Sequence, residues 1–367
     1  PENMQLTGSF KIRGAYYKIS KLAESERKAG LITASAGNHA QGVASAAQAN
    51  NAPAKIVRPA ATPLMKVNNT KAYGAEVILE GKTYDDAYAE AVRLAGDCGY
   101  TLIHPFDDLQ VAAGQGTIAY EILQDLPDTD IILVPIGGGG LAAGVATLAK
   151  ALHPNIKVIG VEPKGAASMK AAMAQGSVVT LPAIDTIAEG VAVKTAGGLI
   201  FPYIQQYLDD IIVIDDAELI DAFLDVMEKH KMIAENAGLL SVAALKHIDG
   251  KNKNIVSILS GGNMDVITMS SLVAHGLINR GRVFTFSVQL PDQPGQLLNV
   301  ARIIAEERGN VIKLEHNQFV SINRNSAVEL QVTLETFGPE HISAIMAALV
   351  REGYAPNAIN RKGSVMP

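Results

Sequence analysis

From its start to about residue 280 the chain alternates short apolar runs with amphipathic stretches, and Gly, Pro, Asn and Asp punctuate the joins. The apolar runs predict strands at Leu31–Ala34, Lys55–Arg58, Glu76–Leu79, Thr101–Ile103, Ile131–Pro135, Val158–Val161, Ile211–Ile214 and Ile255–Leu259. Helical patterns fall between them, among them Asn38–Ala49, Thr83–Cys98 and Val111–Leu126. Repeated strand–helix alternation reads as an α/β fold whose parallel sheet has helices on both faces. From Arg282 the rhythm changes. Val283–Leu290 alternates at period two, Gln296–Glu306 is helical, strand-like segments follow near Val311–Phe319 and Ala327–Glu335, and then come a helix over Pro339–Arg351 and an apolar stretch near Tyr354. That order is βαββαβ, the ferredoxin-like plan.

Charge supports a boundary at the same place. Residues 281–367 carry eight Lys+Arg and eight Asp+Glu, so the whole net charge of −6 lies in residues 1–280. At about 150 residues per domain, 367 residues suggest two or three domains. With 48% hydrophobic and 19% charged residues the composition is that of a globular protein, which sets aside collagen-like, disordered and coiled-coil classes. The single cysteine, Cys98, builds neither an internal disulfide nor a zinc site and suits a reducing cytoplasm. The eight histidines form no HExxH-like pair, so no metal is expected there. The acidic balance argues against nucleic acid as a partner, and no apolar run reaches the roughly 18 residues that span a bilayer. The N-terminus lacks the order of a signal peptide.

What stands out is 33 glycines, and four short motifs hold many of them. Thr7–Ala15 (TGSFKIRGA) puts Lys11 at a helix start beside Phe10, and a lysine on an apolar floor can become a nucleophile or Schiff-base former. Ser35–Gly42 (SAGNHAQG) follows a strand and opens a helix, whose unpaired N–H groups suit an anion such as a carboxylate. Pro135–Leu141 (PIGGGGL) is again strand into helix, and four consecutive glycines make sense where several backbone N–H groups wrap a phosphate. It matches neither a P-loop nor a dinucleotide fingerprint. Leu259–Asn263 (LSGGN) places a hydroxyl, Ser260, at another strand end, where open parallel sheets bind ligands. A lysine, an anion-holding turn, a phosphate cup and a lone hydroxyl together describe a pyridoxal phosphate site.

With PENMQLTGSFKIRGA, SAGNHAQG, the tetraglycine loop, AEGVAVK (Ala188–Lys194) and SGGN in this order, the chain resembles the fold-type II pyridoxal-phosphate enzymes. Within them it resembles the threonine dehydratase (threonine ammonia-lyase) family in the form with one C-terminal ACT domain. The resemblance implies two open parallel-sheet lobes, like those of tryptophan synthase β, over residues 1–280, the smaller lobe at about 29–105, and an ACT domain over 281–367. It implies that Lys11 carries the cofactor as a Schiff base and removes the Cα proton. Phe10 would pack on the ring, and Asn38 would hydrogen-bond its 3′-oxygen. The N–H groups of Gly137, Gly138, Gly139, Gly140 and Leu141 would hold the phosphate, Gly190 would lie near the ring, and Ser260 would face the pyridine nitrogen. Ser35, Ala36, Gly37, Asn38 and His39 would receive the substrate carboxylate. A hydroxyl at Ser260 does not strongly favour a protonated ring, which makes a weaker electron sink and favours prompt loss of a β-hydroxyl. Threonine would give 2-oxobutanoate and ammonia, and serine would give pyruvate.

Three departures from the family bear on this. Serine racemase, a relative, has a serine where this chain has Ala36, so elimination without efficient racemisation is expected. The racemase-like divalent site matches Glu162 and the backbone of Ala166, but its acidic third ligand is Ser168 here, and no metal ligand is assigned. Glu235-Asn236-Ala237-Gly238 stands where many dehydratases have Glu-Pro-Ser-Gly. The family also carries a helix and strands ahead of the lysine, so a missing N-terminal segment and an incomplete sheet around Lys11 are expected. In the C-terminal part, Asp292, Pro294, Gly295 and Leu297 match the ACT turn after the first strand, and Asn310 and Val311 begin the next one. These six would bind a branched-chain amino acid in a homodimer or homotetramer. A β-replacement synthase, a serine racemase of the same fold and a non-catalytic amino-acid sensor are the alternatives. Gly8, Gly14, Gly37, Gly42, Gly137–Gly140, Gly190, Gly261 and Gly262 are all expected in turns where backbone approaches a ligand.

Overall fold

The computed structural model describes residues 1–62, 64–317 and 328–359. The chain divides into two compact units, Pro1–Met264 and Asp265–Pro367. In the first, β1 (Leu31–Ala34), β2 (Ala54–Arg58), β3 (Glu76–Leu79) and β4 (Thr101–Leu102) form a parallel sheet in the order β3-β2-β1-β4. A second parallel sheet, ordered β7-β6-β5-β8, is made by β5 (Ile131–Pro135), β6 (Lys157–Pro163), β7 (Asp210–Ile214) and β8 (Ile255–Ser257).

The apolar runs are continuous because both faces of these sheets are covered. Leu31 and Ile56 face one layer with Ala40 and Val43 of helix Asn38–Ala49, while Ile32, Ala34 and Val57 face another with Ala87 and Ala91 of helix Tyr84–Cys98. Ala15 and Ile19 of helix Lys11–Lys21 join the first layer, so the smaller lobe also takes in residues ahead of the expected 29. Two boundaries differ from the sequence pattern for local reasons. The Asp108 carboxylate accepts from Gln110 N and Val111 N, which starts the next helix at Leu109. Strand β8 stops at Ser257 because the carbonyls of Leu259 and Ser260 turn to accept from Glu2 N and Phe10 N, at 2.8 and 3.0 Å.

Two of the glycines expected in ligand turns lie inside helices instead. A Cβ on Gly42 would sit 3.0 Å from the Lys11 carbonyl carbon, and one on Gly14 would overlap Gln115 and stand 2.6 Å from the Val111 carbonyl oxygen. They are points of close helix crossing. Gly114, Gly116 and Gly144 act in the same way. A Cβ on Gly114 would lie 2.7 Å from Arg13 O and one on Gly116 2.8 Å from Gly144 O, so helices Lys11–Lys21, Leu109–Asp125 and Gly140–Leu152 stack backbone against backbone.

The second compact unit starts at Asp265, earlier than the expected 280/281 boundary, and the Asp265 carboxylate caps helix Val266–Asn279 by accepting from Thr268 N at 2.8 Å. Then come β9 (Val283–Leu290), helix Gln296–Glu306, β10 (Asn310–Asn317), β11 (Val328–Glu335), helix Pro339–Arg351 and β12 (Pro356–Ala358). The strands pair antiparallel in the order β10-β11-β9-β12, the βαββαβ plan. Phe286, Val288 and Leu290 of β9 and Leu330, Val332 and Leu334 of β11 present one apolar face to Val300, Ile303, Ile304, Ile345 and Leu349. Phe319 and Ala327 lie outside the described residues.

Candidate active site

Backbone pairing joins the first and fourth motifs. Phe10 N donates to Ser260 O at 3.0 Å, Gly262 N to Gly8 O at 2.9 Å, and Ser9 bridges Gly261. Gly8 turns at φ +70°, which a side chain would strain. Lys11 opens helix Lys11–Lys21, so no sheet strand holds it; a helix start paired to a strand end does. Its Nζ lies 5.2 Å from the Phe10 ring centroid and donates to Pro105 O at 2.8 Å. Desolvation lowers the ammonium to about 8, with the charge of Glu235 opposing.

The second motif leaves β1 through Ser35, whose Oγ accepts from Gly37 N at 3.2 Å. Gly37 stands at the N-cap of helix Asn38–Ala49 with no side-chain cap, which leaves first-turn N–H groups for an external anion. Ala36 adds only a methyl group to this turn. The imidazole of His39 is buried: Nε2 pairs with Ile103 O at 2.9 Å, and Nδ1 has no hydrogen-bond partner among the described residues. Burial, helped by Lys11, lowers its pKa to about 3, so it is neutral near pH 7.

The tetraglycine loop is squeezed from behind. A Cβ on Gly137 would lie 2.9 Å from Val191 Cα, one on Gly138 would overlap the Phe106 ring, and one on Gly140 would lie 2.6 Å from Phe106 O. Gly139 has φ +101° and forms the N-cap of helix Gly140–Leu152, again without a side-chain cap. The packing behind the loop requires the glycines as much as any ligand in front of it does. Leu141, in the first turn, is buried. Gly190 lies on the turn Glu189–Val191, where an added Cβ would be 3.7 Å from Glu235 Oε1.

Two features escaped the sequence reading. The first is Ile103–Asp107, just after β4. Ile103 O takes His39, Pro105 O takes Lys11, Phe106 backs the glycine loop, and the Asp107 carboxylate accepts from Gly198 N, Leu199 N and Ile200 N at 2.8–3.2 Å. Its position at a strand end was the available signal. The second is the pairing of Glu235, noted in the sequence only as the start of Glu235-Asn236-Ala237-Gly238: its Oε1 accepts from Asn38 Nδ2 at 2.6 Å.

Elsewhere the expected residues are placed differently. Glu162 is buried and caps helix Ser168–Gln175, accepting from Met169 N and Lys170 N at 2.8 Å each; burial raises it to about 7. Ser168 Oγ is buried with no hydrogen-bond partner. Asp292, Pro294, Gly295 and Leu297 follow the Leu290 end of β9, whereas Asn310 and Val311 pair with Glu335 and Leu334 of β11, which lie opposite Val283 and Phe284. The two groups are at opposite ends of the sheet, about 24 Å apart at 3.4 Å per residue. Within one chain they form no common site. No helix among the described residues is long and apolar enough to cross a membrane.

Residues 1–261 match the family described as "Pyridoxal-phosphate dependent enzyme". The chain belongs to this family. It is 43% identical over 354 residues to the L-threonine ammonia-lyase of Thermotoga maritima, covering 96% of this chain and 88% of that one. Among solved structures, threonine deaminase isoform 2 from Solanum lycopersicum is similar with a TM-score of 0.72 at 43% identity, covering 74% of this chain and 76% of that one. Maize serine racemase is similar with a TM-score of 0.71 at 37% identity, covering 77% and 87%. The residues present fit the family's cofactor. A desolvated amine, an uncapped helix N-terminus with no room for side chains and a buried hydroxyl at Ser260 match an aldehyde, a phosphate and a ring nitrogen.

Proposed function

We propose that the chain is a pyridoxal-phosphate-dependent L-threonine ammonia-lyase that also accepts L-serine, releasing 2-oxobutanoate or pyruvate with ammonia. The observation that carries this reading is Lys11, a desolvated amine held at a helix start by pairing with the Ser260 loop. Bound pyridoxal phosphate supplies an electron sink for the bonds at the substrate's Cα. The N–H groups from Gly137 to Leu141, at and just before the start of helix Gly140–Leu152, would hold the phosphate, and Phe10 would pack on the ring. The turn Ser35–Gly37, with the main chain of Asn38 and His39, orients the substrate carboxylate. Lys11, near its neutral form at about 8, takes the Cα proton and stays on one face of the substrate.

Ala36 favours elimination over racemisation, because no hydroxyl stands there to exchange a proton on the opposite face. This separates the reading from that of the similar racemases. The deciding experiment adds L-threonine and follows 2-oxo acid release together with the visible absorption of the cofactor, in the parent and in Lys11→Ala. The parent should turn over, and the variant should lose at least about 10³-fold. Equal rates would overturn the assignment of Lys11, and efficient formation of D-allothreonine or D-serine, the products of inversion at Cα, would overturn that of Ala36.

The second unit fits an ACT regulatory domain, on the support of its βαββαβ order and the turn at Gly295, φ +94°. A branched-chain amino acid would bind between two copies, with Asp292, Pro294, Gly295 and Leu297 from one and Asn310 and Val311 from its partner, in a homodimer or homotetramer. Calorimetric titration of the full chain with isoleucine and valine tests it; absence of heat from both sinks the sensor reading. Any coupling to the active site must be reciprocal.

A further inference from the structure

We propose that Glu235 is a positioning residue that fixes the orientation of the Asn38 amide toward the cofactor and places its negative charge where it acts on Lys11. The inference rests on the reading of the site as a pyridoxal phosphate site. Glu235 is the N-cap of helix Asn236–Ala243, the place where a carboxylate ordinarily accepts from first-turn N–H groups. It makes no such cap. Its own N–H donates to Gly261 O at 3.0 Å, and its carboxylate swings to Asn38 Nδ2 at 2.6 Å, so close over Gly261 that a Cβ there would overlap Oε1.

The orientation of the Asn38 amide then follows from donor counting. A carboxylate only accepts, so the end facing Glu235 is Nδ2. At the other end Asn263 Nδ2 donates to Asn38 Oδ1 at 2.9 Å and to Thr7 O at 2.7 Å, which uses both of its protons. Both neighbours demand the same rotamer. Asn38 Nδ2 has a second proton, and that proton is the one left for a ligand oxygen, the 3′-oxygen of the cofactor under the proposed function. Glutamine at position 235 would weaken this lock, since its own amide can turn and donate.

The same carboxylate acts on Lys11, for Glu235 N pairs with Gly261 O while Phe10, the residue before Lys11, pairs with the adjacent Ser260 O, both at 3.0 Å. Among the described residues, the titratable groups whose charges act on the amine are Glu235, His39 and His104, of which Glu235 supplies negative charge. Burial disfavours the charged form of both histidines, and the Glu235 carboxylate opposes in part the desolvation of the amine.

The test uses the full chain as parent, Glu235→Gln, Glu235→Ala and Glu235→Asp, each checked for folding by circular dichroism. In the cofactor-loaded proteins the pH midpoint of the visible band is read; in the chains freed of cofactor, the pH midpoint of reductive methylation at Lys11 is read by peptide mass spectrometry. Both midpoints should fall by about one pH unit in Gln and Ala and stay near the parent in Asp. kcat for threonine should fall about tenfold or more in Gln with KM changed less than threefold. Gln and Ala both remove the charge, so whichever folds carries the test. Midpoints equal to the parent's in a folded charge-removed variant would overturn the proposal. A parent without a visible band would instead overturn the cofactor reading and the role given to Asn38, and the methylation midpoint would still decide whether Glu235 governs Lys11.

Discussion

Lys11 Nζ and the Pro105 carbonyl oxygen stand 2.8 Å apart, which ties the reactive amine to the loop that also supports His39 and the glycine turn. The loop is anchored in turn by Asp107, which accepts from three consecutive N–H groups. Asp107→Ala is expected to lower stability by about 2 kcal/mol, measured by urea denaturation. Cofactor affinity should weaken with it although Asp107 need not touch the cofactor. Unchanged affinity in a destabilised variant would mean that the anchor serves the fold alone.

His39 predicts acid sensitivity with a definite sign. Its folded pKa is depressed to about 3 by burial, against about 6.5 unfolded, so its contribution is present above pH 6.5 and is lost as pH falls toward 3. Between pH 6.5 and 4.5 the loss should approach about 3 kcal/mol. Glu162, raised to about 7, has the opposite slope: its contribution is full below 4.5 and is lost as pH rises through 7. His39→Gln, which keeps a donor for Ile103 O, should flatten the acid limb of a thermal-midpoint profile; an unchanged limb would assign it to other groups.

Gly138→Ala should cost about 1–3 kcal/mol and weaken cofactor binding at least about tenfold, because the added methyl group overlaps the Phe106 ring. Phe106→Ala in the same chain should return part of the stability. The double-mutant cycle measures this directly, and strict additivity would show that the clash had been relieved by loop movement.

Arg13 grips Glu2 with Nε and Nη2 at 2.7 and 2.8 Å, both side chains nearly buried, and also reaches Glu121. Arg13→Met should destabilise by about 3–5 kcal/mol, because it leaves the Glu2 carboxylate buried without its cation. Adding Glu2→Gln should recover much of that loss in urea denaturation, and no recovery would place the cost in packing.

Much of the local structure was legible because its signals are local. Leu31–Ala34, Asn38–Ala49, Gln296–Glu306 and Pro339–Arg351 fall where the pattern puts them, since each helix start carries its own glycine and the last also has proline at its first position. The motifs of the site were legible for the same reason. Their partners were not. Lys11 meets Pro105 across 94 positions and Asn38 meets Glu235 across 197, and a backbone carbonyl or a lone glutamate bears no mark of such a pairing. Glycine misled in the opposite way: Gly14 and Gly42 sit inside signature motifs but are spent on helix crossings, a use that cannot be told from a ligand turn by composition.

Those crossings set a length as well as a packing. Lys11 heads one helix of the stack, the tetraglycine turn heads another, and Gly14, Gly114, Gly116 and Gly144 allow the close crossings between them. Side chains elsewhere in a core can repack around a substitution; at Gly116 and Gly144 the neighbours are backbone atoms, which cannot. A methyl group at Gly116 or Gly144 would act as a shim, pushing the helix that the tetraglycine turn heads away from its neighbour while every residue of the candidate site kept its identity.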